Sequence, residues 1–174
     1  MGKKRSIVLS AVNIAMHPHE PAWYADMFEL IHSRSIMAKL RGFDWGMIGT
    51  CHRDDQLGVI TGTMWRFINL DPKEPWLDLS ERREIDPEGK EPIIPDHLKP
   101  HLRRFSYAFF PDGHRLFFNA KEVSPGIVQR LMDGLCFNPI VSKKYNDISV
   151  TVECDKETID SIFKLHRRAM IEIF

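Results

Sequence analysis

An α+β fold, with helices packed on one face of an antiparallel sheet, is predicted for this sequence of 174 residues. Three observations predict it. Short runs of β-branched and aromatic residues alternate with two stretches of helical period. A Pro-Asp-Gly turn at 111–113 joins two apolar runs, as a hairpin requires. Hydrophobic residues make up 43% of a chain long enough to bury most of the surface its unfolded form exposes, so one domain with one core is expected over 1–174.

The elements follow in order. Residues 6–16 (SIVLSAVNIAM) place Val8, Val12, Ile14 and Met16 on one alternating face, the pattern of a central strand. Pro21 suits a first helical position, and Trp23, Met27, Leu30 and Ile31 recur at helical spacing to about Ser33. Runs 43–50 and 57–68 read as strands around a polar loop, His52-Arg53-Asp54-Asp55-Gln56, with Phe43, Trp45, Trp65 and Phe67 positioned to face one another. Residues 71–100 hold six of the eleven prolines and no sustained period, so they read as an irregular insert. FSYAFF (105–110) and RLFF (115–118) form the hairpin, Ser124-Pro125 opens a helix to about Phe137, and Ile148, Val150 and Val152 alternate as a strand. Asp155 is expected to cap a short helix, and 169–174 to form a last strand. The order β-α-β-β…α-β suggests a ferredoxin-like arrangement with an added hairpin and the proline-rich insert. Ending on an apolar run with no polar tail is expected of the N-terminal part of a longer chain.

Composition restricts partners. Lys+Arg and Asp+Glu each number 24, so no global field draws the molecule onto nucleic acid, and binding of that kind must come from a local patch. Cys51, Cys136 and Cys154 lie far apart without a CxxC pair, which fits a reducing compartment. Lys3, Lys4 and Arg5 precede an apolar run too short to span a bilayer, so a cytoplasmic protein without a membrane partner is expected. GxxxxGK[ST], GxGxxG, GxSxG and HExxH motifs are absent from the sequence, and no cofactor is expected.

Three readings of function remain. Basic residues cluster at Lys3-Lys4-Arg5, at Arg34, Lys39 and Arg41, at Lys99, Arg103 and Arg104, and at Lys164, Arg167 and Arg168. With Arg66, and with Trp45, Trp65 or Tyr107 on the same sheet face, Lys39, Arg41, Arg103 and Arg104 would bind phosphates and stack bases, making a module for RNA or DNA. This reading, with RNA as the ligand, is the leading one. His17 and His19, in His17-Pro18-His19-Glu20, are candidate catalytic residues, since two imidazoles can act as general acid and base on RNA. With His52 and Asp54 they are also candidate metal ligands, although no spacing motif supports a metal. The plainer reading is that one histidine caps the helix and the other is exposed. The insert at 71–100 and a sheet edge could instead dock a protein partner, as in a defence or toxin–antitoxin complex.

NIAMHPHEP, INLDPKEPW, the IIPDHLKPHLRRFSYAFF run with its GHRLFF hairpin, and ISVTVECDKETIDSIFKLHRRAMIEI together resemble an uncharacterised bacterial family, a domain of unknown function. The resemblance spans nearly the whole chain and transfers no catalytic motif. It implies an association with mobile elements or phage defence. The layout is also similar to RNA-handling folds of CRISPR systems, without the Gly-rich loop such proteins often carry.

Overall fold

In the computed structural model, which describes residues 7–70, 76–85 and 97–153, the chain opens with strand β1 (Leu9–Ala15) and helix α1 (Pro21–Ser33). Strands β2 (Met37–Arg41), β3 (Asp44–Asp54) and β4 (Val59–Ile68) follow, then a two-stranded hairpin of β5 (Trp76–Asp78) and β6 (Arg83–Ile85). β7 (Arg103–Phe110) and β8 (Arg115–Asn119) are joined by a 3-10 turn at Pro111–Gly113. Helices α2 (Pro125–Cys136) and α3 (Pro139–Ser142) lead to β9 (Ser149–Val152). The expected helix at Asp155 and strand at 169–174 lie outside the described residues.

The main sheet has the order β2-β3-β4-β7-β8-β1-β9, and every neighbouring pair is antiparallel. The α+β class and the antiparallel sheet are as the sequence predicts. The seven-stranded sheet is larger than the expected four-stranded core, and within it β7, β8, β1 and β9 lie side by side in that order. β4, β7 and β8 stand between β3 and β1, so the hairpin is built into the middle of the sheet instead of being added to it. β2, unmarked by any strong period in the sequence, forms one edge of the described sheet.

Both long helices cover the same face. Alternation puts Val12, Ile14, Ile48, Ile60, Met64, Phe105, Tyr107, Phe109, Leu116 and Phe118 on that face, and all are buried. Tyr24, Phe28 and Ile31 form the buried stripe of α1, displaced from the expected stripe so that Trp23 is 39% exposed. The Phe28 ring stacks on Phe109 at 4.8 Å and 17°, and Tyr24 and Tyr107 flank that pair. Each fully buried side chain of this size contributes roughly 1.5–3 kcal/mol through loss of apolar surface from water.

α2 comes close to the sheet through its smallest residue. Val128, Leu131, Met132 and Leu135 are buried, and Gly134 lies directly over Ala38 of β2. A Cβ at Gly134 would sit 2.7 Å from the Ala38 Cβ, and neither methyl has a rotamer to move into. In an open helix, Gly→Ala stabilises by about 1 kcal/mol. Here Gly134→Ala is expected to destabilise by about 1–3 kcal/mol, because α2 must lift off β2. Urea unfolding of the two proteins checks the sign, and relief of the loss by Ala38→Gly identifies the contact.

Candidate nucleic-acid interface and histidine cluster

Two polar assemblies lie at opposite ends of the sheet. At the first end β2 and β4 finish while β3 and β7 begin, which brings Lys39 and Arg41 of β2, Arg66 of β4 and Arg103 and Arg104 of β7 to one end of four adjacent strands. Lys39, Arg41, Arg103 and Arg104 are exposed. Arg66 differs, since its guanidinium pairs with Asp44 and only 13% of its side chain is accessible. Arg66 and Arg103 face each other across β4 and β7 and line an open cleft of about 310 Å³ with Phe43, Asp44, Ile68 and His101.

Lys39 and Arg104 point to the opposite face, away from α1 and α2, where they meet two tryptophans. The register places Lys39 beside Trp45, and Met47 beside Trp65 beside Arg104. Both indoles are half-buried. A bulge between Ile48 and Thr50 lets the Trp65 ring lie flat on Gly49, where a Cβ would come within 2.2–2.5 Å of three indole atoms. The ring rests against the Gly49 backbone. Phe67, paired with Trp45, is buried.

Tyr107 corrects the sequence reading. It belongs to the helix-covered face, is 4% exposed, and donates its hydroxyl proton to the Thr50 carbonyl at 3.2 Å. Burial pushes its pKa well above the phenol range, and no base can stack on it. It shares strand parity with Phe105 and Phe109, a signal that was available in FSYAFF.

The second end holds the histidines. Tyr24 is fully buried, and its hydroxyl oxygen accepts the Met16 N–H at 2.9 Å. The same hydroxyl lies 3.4 Å from Nδ1 of His19 and 3.2 Å from Nδ1 of His114. The two imidazoles stack at 4.0 Å and 18°. His114 is held in place by the turn. It closes the 3-10 turn in the left-handed region at φ 56°, its N–H donates to the Pro111 carbonyl, and its carbonyl accepts the Ile14 N–H. Arg115 sits alongside, donating to Asn13 Oδ1 at 2.6 Å and pairing with Glu153 at 3.0 Å.

His19 therefore belongs to a cluster whose other members, Tyr24 and His114, lie in α1 and at the end of the β7–β8 turn. It does not cap α1. The N-cap is Glu20, and no side chain makes a capping hydrogen bond there. His17 is exposed and close enough to affect His114 electrostatically. His52 and Asp54 do not join the cluster. His52 is exposed on the face away from the helices, and Asp54 accepts the N–H groups of Gln56 and Leu57 to shape the β3–β4 turn. Among the described residues, no group of three or more His, Cys, Asp or Glu side chains gathers as a metal site. The basic clusters at Lys3-Lys4-Arg5 and at Lys164, Arg167 and Arg168 lie outside the described residues. So does most of the 71–100 insert.

Residues 5–173 match a family described as a domain of unknown function, DUF4747. The chain belongs to the DUF4747 family. No curated protein and no solved structure matches it. The match spans nearly all of this DUF4747 chain and includes both polar ends of the sheet. No helix among the described residues is long and apolar enough to cross a membrane.

Burial lowers the pKa of His114, and His19, Arg115 and His17 lower it further, so the folded DUF4747 chain binds this proton less readily than the unfolded chain. The stability this group contributes is present above the unfolded histidine pKa of about 6.5 and is lost as pH falls through the lower folded value. Melting temperature is therefore expected to drop on acidification from about pH 7.5 to about pH 5.5. His114→Asn, which tolerates a positive φ, should show a smaller drop. An equal drop in both proteins would show that other groups carry the acid sensitivity.

Proposed function

We propose that this protein is an RNA-binding module that holds single-stranded RNA on the sheet face away from its helices. The observation that carries this reading is the convergence of five basic residues, far apart in sequence, at one end of β2, β4 and β7, with Lys39 and Arg104 beside Trp45 and Trp65. A net formal charge of zero makes such a local concentration informative, because no general excess of lysine and arginine produces it. Single-stranded nucleic acid is bound by this combination of phosphate-pairing cations and aromatic rings on which bases stack. The Trp65 indole is well suited to stacking, since the flat contact with Gly49 orients the ring before any base arrives. RNA is favoured over duplex DNA because unpaired bases can splay onto a sheet, whereas stacked pairs cannot. A role in bacterial defence or in mobile elements is part of the same proposal and rests on the family resemblance alone.

Lys39 and Arg104 supply phosphate contacts on the tryptophan face, and Arg41 and Arg103 extend the basic rim around the end of the sheet. Arg66 contributes less, because Asp44 already neutralises it.

Trp65→Ala is expected to weaken binding of a single-stranded RNA by roughly 5- to 150-fold, the value of one base–aromatic stack of about 1–3 kcal/mol. Trp65→Phe, which keeps a stacking face, should restore most of it. Arg104→Glu should reduce the slope of log affinity against log salt by about one unit or more. Fluorescence anisotropy across a salt series checks all three. Absence of salt-sensitive binding to RNA by the folded protein would overturn the reading, and equal binding of single-stranded DNA would remove its preference for RNA.

A further inference from the structure

We propose that His19 and His114, bridged by Tyr24, form the acid–base pair of a metal-independent RNA phosphodiester cleavage, an inference that rests on the RNA-binding reading above. The argument begins with proton counting. The Tyr24 oxygen already accepts the Met16 N–H, and its single proton can be donated to only one of the two Nδ1 atoms in reach. The other Nδ1 must then carry its own proton and donate it to the phenol oxygen. With both imidazoles neutral, the bridge forces them into opposite tautomers. One Nε2 bears a proton and the other bears a lone pair. Neither Nε2 has a hydrogen-bond partner among the described residues, and the rings that carry them lie 4.0 Å apart. A general acid and a general base are thereby set side by side, with no carboxylate needed to distinguish them.

The surroundings of His114 favour its neutral form. Protonation of His114 is opposed by burial, by His19, by Arg115 and by His17, the groups that face it from β8, from the loop before α1 and across the stack. Tyr24 is buried and its phenol pKa is raised, so it keeps the proton it relays.

The step balances. The base Nε2 takes the proton of a ribose 2′-hydroxyl as that oxygen attacks phosphorus. The Nδ1–H of the same ring passes to the Tyr24 oxygen, and the Tyr24 proton passes to Nδ1 of the second ring. The Nε2–H of the second ring goes to the departing 5′-oxygen. A P–O2′ bond forms and the P–O5′ bond breaks, leaving a 2′,3′-cyclic phosphate and a 5′-hydroxyl. No oxidant, metal or net charge transfer enters, and running the chain in the opposite direction exchanges the two histidines' roles. The need for a 2′-hydroxyl restricts the substrate to RNA. β7 connects the two ends, running eight residues from Arg103 to Phe110 just before the turn that ends in His114. That is roughly 26 Å at about 3.3 Å per residue. A single strand stacked on Trp65 has that length to cover along β7 and must then pass round the Pro111–Gly113 end of the sheet, from the open face to the α1 side, to reach the histidines.

The test is incubation of the purified full chain with a single-stranded RNA of roughly 20 nucleotides in excess chelator, with binding measured on the same preparation. Cleavage leaving a 2′,3′-cyclic phosphate is expected, with none where the scissile nucleotide is 2′-deoxy. His19→Gln and His114→Asn should each slow it by about 10²- to 10⁴-fold while RNA affinity is kept. The wild-type rate should rise through the histidine range to a plateau. Tyr24→Phe breaks the relay, so its residual rate should become bell-shaped, the acid now being an imidazolium. Binding without chelator-resistant cleavage, cleavage that survives both histidine substitutions, or a bell-shaped wild-type profile would each overturn the inference and leave RNA binding intact. Absence of RNA binding would remove both readings.

Discussion

The stacking of Phe28 on Phe109 fixes α1 over the middle of the sheet, and much of the molecule's geometry depends on that contact. Phe28 lies one helical turn after Tyr24 and just under one turn before Ile31, so the same stripe that buries the helix carries the Tyr24 phenol to the junction of β1 and the β7–β8 turn. A ring displaced along Phe109 would take the hydroxyl out of reach of Met16, His19 and His114 together. The core and the histidine cluster therefore share one anchor, and the cluster has the rigidity of a helix packed on a sheet.

The opposite face of the sheet is shaped by backbone more than by side chains. The bulge at Gly49 shifts the β3–β4 register. It seats Trp65 on one side, while on the other side the Thr50 carbonyl comes close enough to receive the Tyr107 hydroxyl. One irregularity thus satisfies a buried phenol within the core and lays an indole flat outside it. The two faces have different chemistry for this reason. Ile48, Met64 and Phe105 share one row across β3, β4 and β7 under the helices, and Met47, Trp65 and Arg104 occupy the next row on the other side.

Local pattern made much of this readable. Alternation located β1, β3, β4, β7 and β8, and proline at the first position marked the starts of α1 and α2, because both signals depend on neighbours in sequence. β2 escaped notice because MAKLR is short, mixed and at an edge, where burial imposes little pattern. The strand order was not accessible, since nothing local in FSYAFF or RLFF says that these strands sit between β3 and β1. The basic residues were recognised as clusters, and pairing between distant strands decides that they share one end. Tyr107 was misplaced through its chemistry, although its parity with Phe105 and Phe109 already set its side. His19 lies where its sequence context places it, between a strand and a helix. His114 gained its importance from a contact across 95 positions of chain, which no periodicity reports.

β2 closes one edge of the described sheet with five residues, two of them the cations Lys39 and Arg41. An unpaired strand edge is a template on which other chains can add, and short charged edges resist this because a second such strand would bring like charges together. The rim proposed to meet phosphate is thus also a barrier to self-assembly. Sequence change that relaxed the one property would expose the other, so the charge of β2 answers to two selective demands, one from a ligand and one from the crowding of identical copies.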